Sequence, residues 1–145
     1  ETFDSMYSNT LKIEEHGLVV VLIDKREHSE KKILNNQWIS FGVLSQSIPM
    51  TPKSYDSPSF YDWGQCTTQT FLNGSNQKGY AGYDSDIKEN DLIELIINCE
   101  ISNIKLINHR STKRYQIPID ASKSPFPWKL SVNLVNINDR VRIVR

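Results

Sequence analysis

The sequence is almost without alanine. Ala81 and Ala121 are the only two in 145 residues, against sixteen isoleucines. Alanine is the best helix former and isoleucine suits strands, so the balance speaks for β-structure. Cysteine is equally scarce, with Cys66 and Cys99 alone. Two thiols cannot frame a disulfide scaffold or a four-cysteine zinc site, and they read as unpaired thiols in a reducing compartment. No run of about 18 apolar residues occurs, which excludes a helical membrane span. There is no charge excess: Lys plus Arg is 17 and Asp plus Glu is 17. That argues against a dedicated nucleic-acid binder, which usually carries a basic surplus. The opening Glu1-Thr2-Phe3-Asp4 is acidic and polar, unlike a secretory signal. It lacks an initiator methionine, so the chain is expected to be a piece of a longer cytoplasmic protein.

What is present suffices for one folded domain, expected to span residues 1–145. Hydrophobic residues make up 38% and aromatics 10%, enough for a core and too many for a disordered tail. Charge is unevenly spread. Residues 1–99 hold 8 basic and 14 acidic side chains, and residues 100–145 hold 9 basic and 3 acidic. The late basic residues suit an acidic partner. The plainer expectation is that they lie on solvated strand faces, turned to the acidic half of the same domain.

Hydrophobic periodicity predicts strands and no helix. Gly17–Ile23 is a short continuous apolar run and reads as a buried strand, with Leu11–Glu14 as its hairpin partner. Gln37–Leu44 is the next strand. Residues 45–63 read as a loop, because Pro49, Pro52 and Pro58 keep that stretch out of a central ladder. Thr68–Leu72 is a short strand closed by Asn73-Gly74, a strong hairpin signal. Its Asn-Gly-Ser is a formal glycosylation sequon, but it reads as a turn. In Leu92–Cys99 the side chains of Ile93, Leu95 and Ile97 share one face. Ile104–Asn108 follows, then a weaker edge strand at Tyr115–Ile119. Leu130, Val132 and Leu134, then Val141 and Ile143, give the cleanest alternation. Many short strands with turn chemistry between them predict an antiparallel two-sheet sandwich or a barrel.

Several of these segments, in this order, resemble a SPRY domain of the kind found in tripartite-motif (TRIM-like) ubiquitin ligases. Trp38-Ile39-Ser40-Phe41-Gly42-Val43 looks like that family's Trp-x-x-Gly-Val strand. Asn90-Asp91-Leu92-Ile93 looks like its Gly-Asp-Val-Ile strand. Ile104–Asn108 matches its Leu-Ser-Phe strand, and Pro125–Leu130 with Arg140–Ile143 matches its closing pair. The resemblance covers residues 37–144 and implies a concanavalin-like jelly roll. Asn90 and His109 replace the usual Gly and Asn98 replaces the usual Asp, all at turn positions. Asn tolerates the left-handed backbone best after Gly. Asp24–Gln37 holds neither the Gly nor the aromatics of the strand that the family carries there, so the sandwich is expected to be one strand short. Losing two or three large buried side chains would cost about 1.5–3 kcal/mol each, out of a total stability of about 5–15 kcal/mol. Either the span reflects a spliced or misassembled gene product, or Val19–Ile23 fills the missing strand's place.

No chemistry-bearing motif emerges. His16, His28 and His109 show no zinc spacing, and no Gly-x-Ser-x-Gly or Gly-rich phosphate loop occurs. A pairing of Cys66 with His109 has no motif behind it. Asp84, Asp86 and Asp91 read as a solvated turn, without the Gly and distal Glu of an EF-hand loop. No catalytic residue, cofactor or metal is expected. The reading is a non-enzymatic protein- or peptide-binding module, with no nucleic acid or membrane partner. The resemblance implies a recognition domain of a larger TRIM-like ligase or adaptor, with RING and B-box segments before Glu1. Tyr55, Phe60, Tyr61, Trp63, Tyr80 and Tyr83 fall in predicted loops, and with Arg110 and Arg114 they form the candidate contact surface. Packing is the plainer role for any one of these aromatics, and Trp38 and Trp128 are expected in the core. A carbohydrate-binding lectin-like sandwich is the alternative, with the aromatics as a sugar platform. A third is that the shortened chain does not fold alone.

Overall fold

The computed structural model describes residues 2–3, 12–13, 16–23, 39–51, 53–64, 68–88, 90–134 and 141–144. Its strands are β1 (Thr2–Phe3), β2 (Lys12–Ile13), β3 (His16–Ile23), β4 (Ile39–Ser45), β5 (Tyr61–Gly64), β6 (Thr70–Leu72) and β7 (Ser75–Asn76). β8 (Leu92–Asn98), β9 (Asn103–Asn108), β10 (Arg114–Pro118), β11 (Trp128–Leu134) and β12 (Val141–Val144) follow. No α-helix occurs among the described residues. The strands form two six-stranded sheets, ordered β1-β12-β3-β8-β9-β10 and β2-β11-β4-β5-β6-β7. Every neighbouring pair is antiparallel. This is the two-sheet sandwich that the alternation predicts.

The core lies between the sheets. On β8 the side chains of Ile93, Leu95 and Ile97 are buried while Leu92, Glu94, Ile96 and Asn98 are half-buried, the period-2 pattern of a strand with one core face. They meet Phe41, Val43, Tyr61, Trp63, Trp128 and Leu130 of the second sheet. The register sets Phe41 beside Trp63 and Val43 between Tyr61 and Leu130. β4 is buried along its whole length because its other face is covered as well. There Leu44, Phe60 and Phe71 form a second cluster, closed by Ile48, Met50 and Tyr55. Phe60 meets Phe71 edge-on at 5.5 Å between ring centres.

The turn chemistry reads true. Asn73 and Gly74 both take left-handed angles between β6 and β7. Asn90 has φ 67°, the conformation that the family's glycine would supply. Asn98 does the work of the usual aspartate, since its Oδ1 accepts the backbone N–H groups of Glu100 and Ile101.

Two expectations are corrected. Lys12–Ile13 does not form a hairpin with β3; it pairs with Trp128 and Lys129 of β11 in the opposite sheet. β3 instead lies between β8 and β12. Residues 45–63 are not all loop, because β5 sits between β4 and β6 in the middle of its sheet. Proline excludes a ladder position only where it stands, and Pro58 precedes β5 rather than entering it. The span Asp24–Gln37, with Trp38 and Cys66, lies outside the described residues.

Candidate functional site

One end of the sandwich gathers the start of β8, the β9–β10 turn, the end of β5 and Thr68 just before β6. There an acidic segment, 84–91, meets a basic turn, 109–114. Asp91 is the anchor. Its side chain is 1% exposed, while that of Arg110 is 44% exposed. The Asp91 carboxylate accepts the Lys88 N–H at 2.8 Å, Asn108 Nδ2 at 2.8 Å and Arg110 Nε at 2.5 Å. Arg110 Nη2 donates both to Asp91 and, at 2.6 Å, to the Asp86 carbonyl. Burial alone would raise the Asp91 pKa; the Arg110, Lys88 and Asn108 bonds outweigh it and hold the carboxyl below its usual range.

A second clasp lies beside the first. Asp84 accepts from Lys113 Nζ and, at 2.5 Å, from the Tyr115 hydroxyl, and both contacts keep it ionised. Tyr83 is buried and meets Tyr115 edge-on at 4.9 Å, and its hydroxyl donates to the Gly64 carbonyl at 2.9 Å. Burial raises the pKa of Tyr83 far above that of an ordinary phenol. The Thr68 N–H donates to Ser85 Oγ at 3.2 Å, and the Gly79 N–H to the Thr68 carbonyl at 2.8 Å. Segment 77–91 is thus stitched to both neighbouring loops. Of the seven non-glycine residues with left-handed φ among those described, Thr68, Ala81, Ser85, Asn90 and Thr112 lie at this end. Left-handed backbone at such residues persists only where its surroundings over-determine it.

The structure divides the sequence-predicted contact residues. Tyr80, Tyr83, Arg110 and Arg114 do come to this end. Of these, Tyr80 is half-buried against the core, Arg114 is exposed, and Tyr83 is buried. Phe60, Tyr61 and Trp63 are fully buried, so they are core rather than surface in this structure. The reason is β5: Tyr61 and Trp63 point into the sandwich, and Phe60 turns under the 46–60 loop. Tyr55 is half-buried in that same cluster, on the far side of the sheet. Asp91 is buried rather than part of the solvated turn expected of it, whereas Asp84 is exposed as expected and ion-paired there. They and Asn108, Lys113 and Tyr115 were missed as site residues, although an acidic loop and a basic turn of like size were the available signal.

The outer face of the second sheet holds a different polar group. Asp62 is fully buried, and its Oδ2 accepts from Ser40 Oγ at 2.8 Å. Asn133 Nδ2 donates to Ser40 Oγ at 3.0 Å. Asp62 Oδ1 has no partner among the described residues. Burial pushes the Asp62 carboxyl well up, against a smaller opposing effect of Ser40. The native state therefore keeps a proton that the unfolded chain releases near pH 4, and stability falls as pH rises through the raised value. Asp62→Asn removes that titration. Its stability relative to the parent should grow between about pH 4 and about pH 7, read from urea midpoints. A difference that stays constant over that interval contradicts the buried acid.

The described residues contain no group of three His, Cys, Asp or Glu side chains placed to hold a metal ion. Cys99 is half-buried against the core.

No protein-family model matches the chain. No curated protein matches it either. Among solved structures it is similar to the crystal structure of the SPRY domain of human HERC1, with a TM-score of 0.63 and 13% identity. The match covers 94% of this chain and 77% of that one. At that identity the likeness is one of fold, and the fold is the SPRY type of jelly-roll sandwich.

Proposed function

We propose that this chain is a protein- or peptide-recognition domain and that segments 77–91 and 108–114 form its recognition surface. In this reading it serves as the partner-binding part of a larger TRIM-like ubiquitin ligase or adaptor in the cytoplasm, and performs no catalysis itself. SPRY domains generally bind proteins or peptides, and the fold likeness supports the same here. The observation that carries the reading is the double clasp of Asp91–Arg110 and Asp84–Lys113, which fixes irregular backbone at one end of a rigid sandwich. Loops held in one conformation lose little entropy on binding, which is what recognition by loops requires. A sugar platform is not favoured, since Trp63, Tyr83 and Tyr115 are buried and Tyr80 stands alone as a partly open aromatic among the described residues of this end.

The test begins with peptides selected from a displayed library against the 145-residue chain. Tyr80→Ala should weaken the selected peptides about tenfold, as truncation of an aromatic anchor does. Phe126→Ala, at the opposite end, should leave them unchanged; Phe126 is 47% exposed there. Loss with Phe126→Ala and none with Tyr80→Ala places recognition at the other end and refutes this assignment.

A further inference from the structure

Three of the six prolines follow a hydroxyl-bearing residue, in Thr51-Pro52, Ser57-Pro58 and Ser124-Pro125. A threonine or serine directly before proline is the least that a proline-directed protein kinase requires of its substrate. The fold decides whether the hydroxyl can be reached, and the three differ there. Ser124 is fully buried. Its Oγ donates to the Ser59 carbonyl at 3.0 Å, its N–H donates to the Asp120 carbonyl at 2.9 Å, and its own carbonyl accepts from Trp128 Nε1 at 2.8 Å. Ser57 is half-buried, with its Oγ 3.2 Å from Ser59 Oγ and accepting the Ser59 N–H at 3.3 Å. Gly74 lies so close to the Ser57 carbonyl that a Cβ on it would stand 2.4 Å from the oxygen. Neither serine can enter another protein's active site unless the loops around it come apart.

Thr51 is placed differently. Thr51 and Pro49 are exposed, while Ile48 and Met50 are half-buried and close the cluster of Leu44, Phe60 and Phe71. Residues 48–51 belong to no strand, yet they alternate in and out as extended chain does. A residue before proline favours extended backbone as well. The two inward side chains moor the stretch on the outer face of the second sheet and leave Thr51 to solvent. Its Oγ1 accepts the Lys53 N–H at 3.3 Å and donates to nothing among the described residues. Lys53 is exposed, with no ionic partner among the described residues. A phosphate on Oγ1 would therefore meet one N–H already aimed at it, and an uncommitted ammonium two residues on.

We propose that Thr51 is a phosphoacceptor for a proline-directed protein kinase, and that the fold withholds Ser57 and Ser124 from the same enzyme. In the transfer, the bond from Thr51 Oγ1 to phosphorus forms as the bond from the γ-phosphorus of magnesium ATP to its bridging oxygen breaks. ADP leaves, and the hydroxyl proton passes to the kinase's base. The product gains about −1.5 to −2 charges at neutral pH on the 46–60 loop. Thr51 belongs to neither core cluster, so the mark is added without disturbing the packing. The inference does not rest on the recognition surface, since 46–60 shares no residue with 77–91 or 108–114.

The experiment incubates the whole 145-residue chain with magnesium ATP and a proline-directed kinase of the cyclin-dependent class. Mass spectrometry follows each site. Synthetic peptides of residues 46–56, 52–62 and 119–129 give the rates without the fold. Thr51 in the folded chain should be modified within about tenfold of its peptide, and Ser57 and Ser124 at least about a hundredfold more slowly than theirs. Thr51→Val should leave the folded chain unmodified and keep its thermal melt, as an exposed change does. The phosphorylated chain should melt within about 2 °C of the parent. No modification of the Thr51 peptide overturns the inference. So does a folded chain that protects Thr51 as strongly as the two serines, or one in which all three react alike.

Discussion

Gly42→Ala removes most of the stability of this domain: we expect a loss of at least about 4 kcal/mol, or a melt lowered by about 15 °C. Gly42 sits in the middle of β4, paired with Asp62 on one side and Ser131 on the other. A Cβ at Gly42 would lie 1.9 Å from the Tyr61 carbonyl oxygen and 2.6 Å from the Asp62 Cα. Both are backbone atoms of β5, a strand held between two others, and neither can swing aside as a side chain does. Moving β5 to make room would shift Tyr61 and Trp63, two of the largest buried side chains. The check is urea unfolding of the two proteins. A loss under about 1 kcal/mol, the range of ordinary surface changes, would contradict the β4–β5 pairing.

Trp128→Ala should cost about 3–5 kcal/mol, as large-to-small changes of buried tryptophan do. Trp128 is 1% exposed and opens β11, the strand that joins β2 to β4. Its ring packs in the main core, with Phe126 edge-on at 6.1 Å, and its Nε1 donates to the Ser124 carbonyl at 2.8 Å. Truncation thus leaves a cavity and an unbonded buried carbonyl together. Trp128→Phe separates the two effects: it keeps a ring but no N–H, and should recover part of the loss. A small effect of the alanine variant would mean that the register of β11 is misassigned.

The strands with one core face were legible because alternation is a local property. Ile93, Leu95 and Ile97 announce β8 without reference to anything else in the chain. β5 was not legible for the same reason. It is four residues long, buried on both faces and preceded by prolines, so the alternation in Tyr61-Asp62-Trp63-Gly64 is too short to stand out from the proline-rich stretch before it. Pairing was harder still, since no local signal ties Lys12–Ile13 to Trp128 and Lys129 across most of the chain. At the candidate site the aromatics misled. Whether a tyrosine or tryptophan in a loop-like stretch is anchor or core depends on which strand passes beneath it, and Trp63 meets Phe41. The charges were visible, but their partners were not. Arg110 and Asp91 stand 19 residues apart and are joined only when β8 and β9 fold back on each other. The broader expectation that the late basic residues face the acidic half holds at Arg110 and Lys113.

The most direct test of the account is amide hydrogen exchange of the whole chain, free and with a peptide selected on it. The free protein should protect β4, β5, β8, β9 and β11 most strongly, as the strands that bury the core. Peptide should slow exchange in 77–91 and 108–114 and leave 46–60 and 119–127 unchanged. Protection that is uniformly weak would contradict the sandwich. Slowing confined to 46–60 or 119–127 would contradict the recognition surface while leaving the fold intact.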